Sequence, residues 1–196
     1  MDDIALIQDS ARSFAARLRD TKALRAGRMQ LPWHEAGRLA DMAAMGWFGA
    51  LLPADAGGLD AGFGAMAAIA EELGAALLAE PLVPLAVLGP RALLHGDNAG
   101  LQAALLPRLA EGAYRLALAW QEGREDARDP LLVETRAVRT GSGWRLQGRK
   151  RFVAGAWAAD GFVVSAAADD GLRLFHLPAN APGLSLAHEW RADGSP

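Results

Sequence analysis

The segment of greatest chemical interest is glycine-rich and ends in a lysine. It runs from Gly143 to Lys150 and reads Gly-Trp-Arg-Leu-Gln-Gly-Arg-Lys. A phosphate-binding loop needs a lysine directly after its second glycine, and it lies between a strand and a helix. Here Arg149 follows Gly148, and the surrounding residues alternate in the manner of a strand. The segment is therefore not predicted to bind phosphate as a P-loop.

Histidine, cysteine and serine give no better case for a catalytic or metal-binding site. The four histidines, at positions 34, 95, 176 and 188, lack the spacing of metal ligands, so no metal site is predicted. The chain has no cysteine, which excludes disulfides, thiolate metal sites and cysteine nucleophiles. No serine lies in the sequence of a nucleophile elbow. These patterns predict no catalytic residue.

Composition and charge indicate a globular protein. The chain has 196 residues, of which 52% are hydrophobic and 22% charged. Its net charge of −3 argues against nucleic acid as a partner, because phosphate binding favours a basic face. The first residues are acidic where a secretory signal would be basic, and no apolar run is long enough for a membrane helix. We expect a cytoplasmic protein without a membrane partner.

The first half of the chain has the period of helices. In the first predicted helix, apolar residues recur at spacings of three and four, namely Ile4, Ile7, Ala11, Phe14 and Leu18. A second helix is predicted from Pro32 to about Met45, and a third is capped by Asp60 and ends at Gly74. The apolar face predicted for the third helix is Phe63, Met66, Ala70 and Leu73. A fourth helix is expected near residue 85, and a fifth runs from Asn98 to about residue 110.

Near Tyr114 the period changes from 3.6 to 2, which indicates strands. Strands are predicted at residues 116–120, 133–137, 144–146, 151–153, 162–166 and 172–177, with a hairpin turn at 140–143. The sequence therefore predicts an α+β protein. An all-α helical domain covers residues 1–113, and an antiparallel β-barrel or sandwich-like domain covers 114–196. Polar residues follow the last strand, so we expect this β-domain to be incomplete.

Five short motifs, in order along the chain, resemble those of the acyl-CoA dehydrogenase family. They are Met45-Gly46-Trp47-Phe48-Gly49 with Leu51-Leu52-Pro53 and Gly57-Gly58; Glu71-Glu72-Leu73-Gly74; Gly143-Trp144 with Gly148 and Lys150; Ala159-Asp160; and Phe175 with Leu177-Pro178 and Pro182-Gly183. Each motif alone is compatible with ordinary packing. The ordered set carries the resemblance, which covers nearly the whole chain.

The resemblance implies a flavoprotein that binds FAD and oxidises acyl-CoA thioesters. Members of the family remove a proton beside the thioester and pass a hydride from the next carbon to the flavin. The base is a glutamate carried beyond the β-domain, and we expect this chain to lack both that segment and the C-terminal helical bundle. The resemblance therefore implies no catalytic residue here. It further implies an electron-transfer flavoprotein as electron acceptor and a homo- or hetero-oligomer.

The same resemblance gives candidate flavin contacts, at positions 120, 121, 152, 153 and 154. The family threonine that bonds the flavin pyrimidine falls on Gln121, beside Trp120. The family tryptophan beside the flavin falls on Phe152, which is followed by Val153. The threonine near flavin N5 falls on Ala154, which loses the hydroxyl but keeps a backbone N–H.

Three functions are compatible with the sequence. The first is an FAD-dependent acyl-CoA dehydrogenase, closest to divergent small-subunit types, of which this chain is an N-terminal portion without the base. The second is a non-catalytic subunit or interaction module of the same fold that pairs with a competent partner. The third is an unrelated helical–β binding protein. A gene that continues into a helical bundle with a glutamate facing the flavin would favour the first function, and one that stops at Pro196 would favour the second. A visible absorption spectrum, which reports a bound flavin directly, is the most informative single observation.

Overall fold

A computed structural model describes residues 3–18, 20, 22, 25, 36–123, 129–141 and 143–189. The α-helices whose bounds lie within these residues are α1 (Asp3–Leu18), α2 (Ala36–Ala44), α3 (Gly62–Ala75), α4 (Gly89–Leu94) and α5 (Ala99–Ala110). A π-helical turn, Pro84–Leu88, runs directly into α4. Short 3₁₀ turns are formed by Trp47–Gly49, Ala54–Ala56 and Ala156–Ala158. The predicted start of the second helix at Pro32 lies outside the described residues.

The amphipathic face of α1 packs against α3, as the sequence predicts for its apolar stripe. Ala11 and Phe14 are buried, and the Phe14 ring meets Trp47 edge-on with centroids 5.0 Å apart. At the exposed end of this contact, the Arg12 guanidinium lies 2.9 Å from the Glu72 carboxylate. Apolar burial therefore supplies most of this contact, because exposed ion pairs contribute at most about 1 kcal/mol.

Two predicted helix caps have different outcomes. Asn98 caps α5, since its Oδ1 accepts a hydrogen bond of 2.9 Å from the Leu101 N–H. The prediction that Asp60 caps α3 is wrong. Asp60 has φ +47°, and its N–H is bonded to the Leu52 carbonyl, so the residue closes a loop. The N-cap position of α3 is occupied by Ala61, which makes no side-chain cap.

The buried face of α3 differs in part from the predicted one. Phe63 is 60% exposed, because it lies in the first turn beyond the core. The buried residues of this helix are Ala65, Met66, Ala68, Ile69 and Leu73. Gly74 does not end the helix, which continues to Ala75. Periodicity thus located the helix and two of its core residues but placed the first turn incorrectly.

The strands are β1 (Leu116–Ala119), β2 (Arg136–Thr140), β3 (Gly143–Gln147), β4 (Gly161–Ala168) and β5 (Gly171–Pro178). β2 pairs with β3, and β4 with β5, as antiparallel hairpins. The remaining edge of β4 is shared by β1 and β2, both parallel to it. The α+β fold is confirmed, and its sheet is mixed rather than wholly antiparallel. Residues 151–153, predicted as a strand, form an irregular segment.

The sequence did not predict whether neighbouring strands are parallel or antiparallel. Alternation of apolar and polar residues identifies a strand but not the strand that pairs with it. β1 is followed by a connection, the β2–β3 hairpin and the irregular segment before β4 begins. A return path of that length can bring β4 back in the same direction as β1, whereas a short turn would force antiparallel pairing.

The helices and the sheet share their hydrophobic cores. One core combines Phe14, Trp47 and Leu85 with Ala117 and Phe162 of the sheet. The other joins residues of both regions on the opposite face of β1, including Leu52, Leu93, Leu109, Leu116 and Val163. β1 is therefore packed by helices on both faces. No helix in the described part of the chain is long and apolar enough to cross a membrane.

The contact between α4 and β1 yields a stability prediction. A Cβ on Gly89 would lie 1.9 Å from the Leu116 carbonyl oxygen, a backbone atom that cannot turn aside. We expect Gly89→Ala to lower the free energy of unfolding by about 1–3 kcal/mol through overpacking. Gly74→Ala, in α3 with nothing within 4 Å of its Cβ, is the control and should gain up to about 1 kcal/mol. Urea unfolding would measure both, and equal effects would contradict the assigned close approach.

Candidate functional site

The residues predicted to contact a flavin fall in two segments, which the structure brings side by side. One segment, 119–122, ends β1, and the other, 150–155, follows β3. The Arg151 N–H donates to the Gln121 carbonyl at 2.7 Å. The Lys150 ammonium donates to the Trp120 carbonyl at 3.2 Å. The candidate site is therefore a continuous surface formed by two segments that are distant in the sequence.

A buried ion pair holds these two segments together. The Lys150 ammonium lies 2.6 Å from Glu122 Oε1 and 2.9 Å from the Ser165 hydroxyl oxygen. The side chains of the pair are only 9% and 7% exposed. The Glu122 carboxylate also accepts from the backbone N–H groups of Glu134 at 2.5 Å and Thr135 at 2.9 Å. The pair is therefore buried with additional hydrogen bonds, as a stable buried charge requires.

The carboxyl group of Glu122 is strongly acidic in the folded protein. Burial by itself raises its pKa, but hydrogen bonds from Lys150, Thr135 and the Glu134 N–H outweigh this and lower the pKa to about 2. Along one edge of β4, β1 pairs as far as residue 164 and β2 pairs at residue 167, which leaves a gap between the two strands. The ion pair fills this gap. Ser165 lies in that gap.

The segment from Phe152 to Gly155 presents a ring and a run of backbone donors. Phe152 is 42% exposed and has φ +54°, an unusual conformation for a bulky residue. Gly155 has φ +77°. The N–H groups of residues 152–155 donate to no acceptor among the described residues. Successive free N–H groups in such a turn can bind electron-rich acceptors, so the segment fits the ring of a planar heterocycle.

Gln121 and Ala154 offer fewer free hydrogen-bonding groups than the threonines that the family resemblance aligns with them. The Gln121 amide nitrogen donates to the Gly123 carbonyl at 3.1 Å, so its donor side is partly engaged. Ala154 offers only its backbone N–H. The Trp120 carbonyl accepts from both Lys150 and Ser165, which gives this residue a role in holding the site through its backbone. Val153 is half-buried and its side chain packs against the core, so only its N–H is available to a ligand.

The 152–155 segment has packing contacts at its end and just beyond it. A Cβ on Gly155 would lie 3.0 Å from Leu85 Cγ, so the turn packs closely on the π-helical segment of the helical domain. Two residues further on, Trp157 stacks on the His188 ring with centroids 3.9 Å apart. Arg151 binds both oxygens of Glu189 at 2.7 and 3.0 Å.

Sequence reasoning missed most of this framework. The Gly-x-Lys motif pointed to Lys150, but nothing in the sequence identified Glu122 and Ser165 as its partners. The partners come from other elements and meet Lys150 only after folding. No cluster of three or more potential metal ligands occurs among the described residues.

Comparison with known proteins agrees with this architecture. The family model described as "Acyl-CoA dehydrogenase, N-terminal domain" matches residues 1–113. The chain is 34% identical over 149 residues to cyclohex-1-ene-1-carbonyl-CoA dehydrogenase of Geobacter metallireducens, covering 72% of this chain and 39% of that protein. The fold is a helical domain that shares its hydrophobic cores with a mixed sheet. Together with these two matches, it identifies the class of protein. The chain belongs to the acyl-CoA dehydrogenase family.

Solved structures show the same fold. A variant of the Tcur3481-Tcur3483 steroid ACAD has a TM-score of 0.81 at 33% identity, covering 94% of this chain and 50% of that one. An acyl-CoA dehydrogenase from Bacillus anthracis, solved in complex with FAD, has a TM-score of 0.82 at 23% identity, covering 97% and 34%. The chain thus spans between about a third and a half of the length of these proteins.

Breaking the buried pair should be strongly destabilising. Lys150→Met removes the ammonium and leaves the Glu122 carboxylate buried without its counter-ion, so we expect a loss of about 3–5 kcal/mol of unfolding free energy. Arg151→Gln breaks the neighbouring Glu189 pair, which is 40% and 52% exposed, and should lose less than about 1 kcal/mol. Similar losses in both variants, measured by urea unfolding, would show that burial does not decide the effect.

Glu122 should also make stability depend on acid pH. Its pKa of about 2 in the folded protein lies below that of the unfolded chain, near about 4.3. The group therefore stabilises the fold above the unfolded pKa, and this contribution, on the order of 3 kcal/mol, is lost as pH falls from about 4.5 toward 2. Unfolding free energies between pH 6 and 3 should fall less steeply in Glu122→Gln than in the wild type. Identical slopes would contradict this assignment.

Proposed function

We propose that this chain forms the helical domain (1–113) and part of the β-domain (114–196) of an FAD-dependent acyl-CoA dehydrogenase. The observation that carries the proposal is the run of free N–H groups at 152–155 beside the exposed Phe152 ring. Family membership and the likeness to a structure solved with FAD support the choice of cofactor. When bound, FAD would supply the hydride acceptor for α,β-dehydrogenation of an acyl-CoA thioester.

Each candidate residue has a physical role in this proposal. Phe152 provides a flat apolar wall for the flavin ring. The N–H groups of Val153 and Ala154 donate to ring acceptors, and the Gln121 carboxamide bonds the pyrimidine edge. Trp120 holds the other segment in place through its carbonyl. The Lys150–Glu122 pair keeps both segments at the spacing that the cofactor needs.

No glutamate of the described site is assigned as the catalytic base. Glu122 is the carboxylate nearest the candidate contacts, but its pKa of about 2 leaves it too weak a base for proton removal at neutral pH. We therefore propose that α-proton removal depends on a residue outside this chain's described site. We also propose an oligomeric, cytoplasmic enzyme that passes electrons to an electron-transfer flavoprotein.

A second candidate is a non-catalytic subunit of the same fold. It is favoured by the replacement of two hydroxyl-bearing family residues, at Gln121 and Ala154, which reduces the hydrogen bonds available to a flavin. In that case the chain would contribute surface to a competent partner rather than bind FAD itself. Direct measurement of FAD binding separates the two candidates.

We expect the chain to bind FAD weakly, with binding visible in an equilibrium titration but lost on gel filtration. Phe152→Ala should weaken binding by about 0.5–1.5 kcal/mol, up to roughly tenfold, through loss of ring stacking. Phe63→Ala, which removes another exposed phenylalanine on α3, is the matched control and should leave binding unchanged. Quenching of flavin fluorescence by increasing protein concentration measures all three.

The outcomes distinguish the candidates. Equal affinity in wild type and Phe152→Ala would mean that FAD binds elsewhere and would reject the proposed site. Absence of quenching at every protein concentration would favour the non-catalytic subunit.

A further inference from the structure

The chain after β5 turns back onto the core that lies beneath the candidate flavin contacts. Gly183 has φ +82° and forms part of this turn. The next residue, Leu184, is half-buried and packs against the same core as Val153. The turn therefore directs the following residues toward the 152–155 segment. We call residues 184–189 the return segment.

Two neighbouring residues of the return segment contact the two ends of the 152–155 segment. The Arg151 guanidinium, directly before that segment, donates to both oxygens of the Glu189 carboxylate, at 3.0 and 2.7 Å. The His188 ring stacks on Trp157, two residues beyond the end of the segment, with centroids 3.9 Å apart and planes inclined by 13°. Because adjacent Cα atoms are only about 3.8 Å apart, a very short piece of chain bridges both ends.

The ion pair also reaches the Phe152 ring. The Arg151 guanidinium lies over that ring, 5.3 Å from its centroid, while it binds Glu189. A cation on one face of an aromatic ring is held there by the ring electrons and leaves the opposite face for stacking. Glu189 therefore acts on the ring through Arg151, because it fixes the guanidinium that covers one face.

The 152–155 segment needs such support, because its own backbone is unfavourable. Phe152 has φ +54°, a conformation that bulky residues rarely adopt. The hydrogen bond of 3.2 Å from the Ala156 N–H to the Val153 carbonyl constrains only the far end of the segment. A strained backbone persists only where surrounding contacts over-determine it. The contacts from the return segment therefore influence how often the segment adopts this conformation.

We propose that His188 and Glu189 are positioning residues for the flavin site. Through their partners at either end, they keep the 152–155 segment in the conformation that a flavin can bind. The inference rests on the proposed function, since the ligand is the flavin of that proposal. It adds that the affinity for flavin depends on a part of the chain that carries none of the candidate flavin contacts.

Removal of both contacts should weaken flavin binding while the fold stays intact. We expect the double variant His188→Ala, Glu189→Gln to bind FAD at least about fivefold more weakly than the wild type, because a smaller fraction of molecules is competent to bind. Both members of the Arg151–Glu189 pair are substantially exposed, so the urea midpoint should change little. Loss of a carboxylate by itself would favour binding of the negatively charged FAD, so net charge cannot explain a weaker affinity. Titration of flavin fluorescence measures the affinity.

A matched double variant is the control. His95→Ala, Asp170→Asn removes an exposed histidine from the α4–α5 connection and one carboxylate from the exposed Asp170–Arg173 pair at the β4–β5 turn. It changes the charge by the same amount and should bind FAD as the wild type does. His188→Phe keeps a flat ring for stacking on Trp157 and should retain the wild-type affinity, whereas His188→Ala alone should lower it.

The Phe152 ring provides a measurement that needs no flavin. In protein labelled with para-fluorophenylalanine, the fluorine NMR resonance of this ring is assigned by its loss in Phe152→Ala. We expect the resonance to shift or broaden in the double variant of the return segment, because the guanidinium over the ring is no longer held. It should stay in place in the control double variant.

An unchanged FAD affinity in the double variant of the return segment would overturn the inference. A loss of equal size in the control double variant would do the same. If the wild type itself binds no FAD, the proposed function fails. An unmoved fluorine resonance would then reject the positioning role as well, whereas a moved resonance would support control of the ring by the return segment.

Discussion

The buried contact between Lys150 and Glu122 is the interaction on which the rest of the candidate site depends. β1 and β2 pair with different parts of the same edge of β4, and no strand covers the gap between them. The Lys150–Glu122 ion pair lies in this gap. A gap in a sheet leaves backbone groups without strand partners. The ion pair satisfies several of them, because Glu122 accepts from two backbone N–H groups and Lys150 donates to the Trp120 carbonyl. The same contact thereby fixes the spacing of the two segments that carry the flavin candidates.

The helical and sheet regions do not act as separate supports for the site. Leu85 lies in the core beneath Ala117 and Phe162 and also touches the turn at Gly155. Strain at Phe152, on the order of 1–3 kcal/mol for a bulky residue at positive φ, is sustained only where surrounding contacts over-determine the conformation. The packing of Gly155 on Leu85 and the stacking of Trp157 on His188 provide such contacts near Phe152 in the sequence.

Local signals in the sequence predicted part of the local structure, although the Asp60 cap was wrong and the strand predicted to begin at residue 133 begins at Arg136. The Asn98 cap, the β2–β3 hairpin and the switch from helices to strands near Tyr114 each depend on neighbouring residues, and the structure has all three. The parallel pairing of β1 with β4 could not be predicted, because it depends on the path of a long connection. The positive φ of Phe152 was also hidden, since that region normally favours glycine or asparagine. The family motifs predicted the candidate site, whereas Glu122 and Ser165 can be recognised as supports of its two segments only from the folded structure.

The π-helical turn at Pro84–Leu88 makes the junction of helices and sheet tolerant of chain length. A π turn accommodates one more residue between hydrogen-bonded groups than an α turn does. Deleting a single residue there would restore an α-helical turn with little change in the phase of α4, so Gly89 would keep its place against the Leu116 carbonyl. A deletion within α5, whose turns are α-helical, would instead rotate the residues beyond it by about 100°. The same change in length therefore has a small effect at one end of this domain junction and a large one at the other.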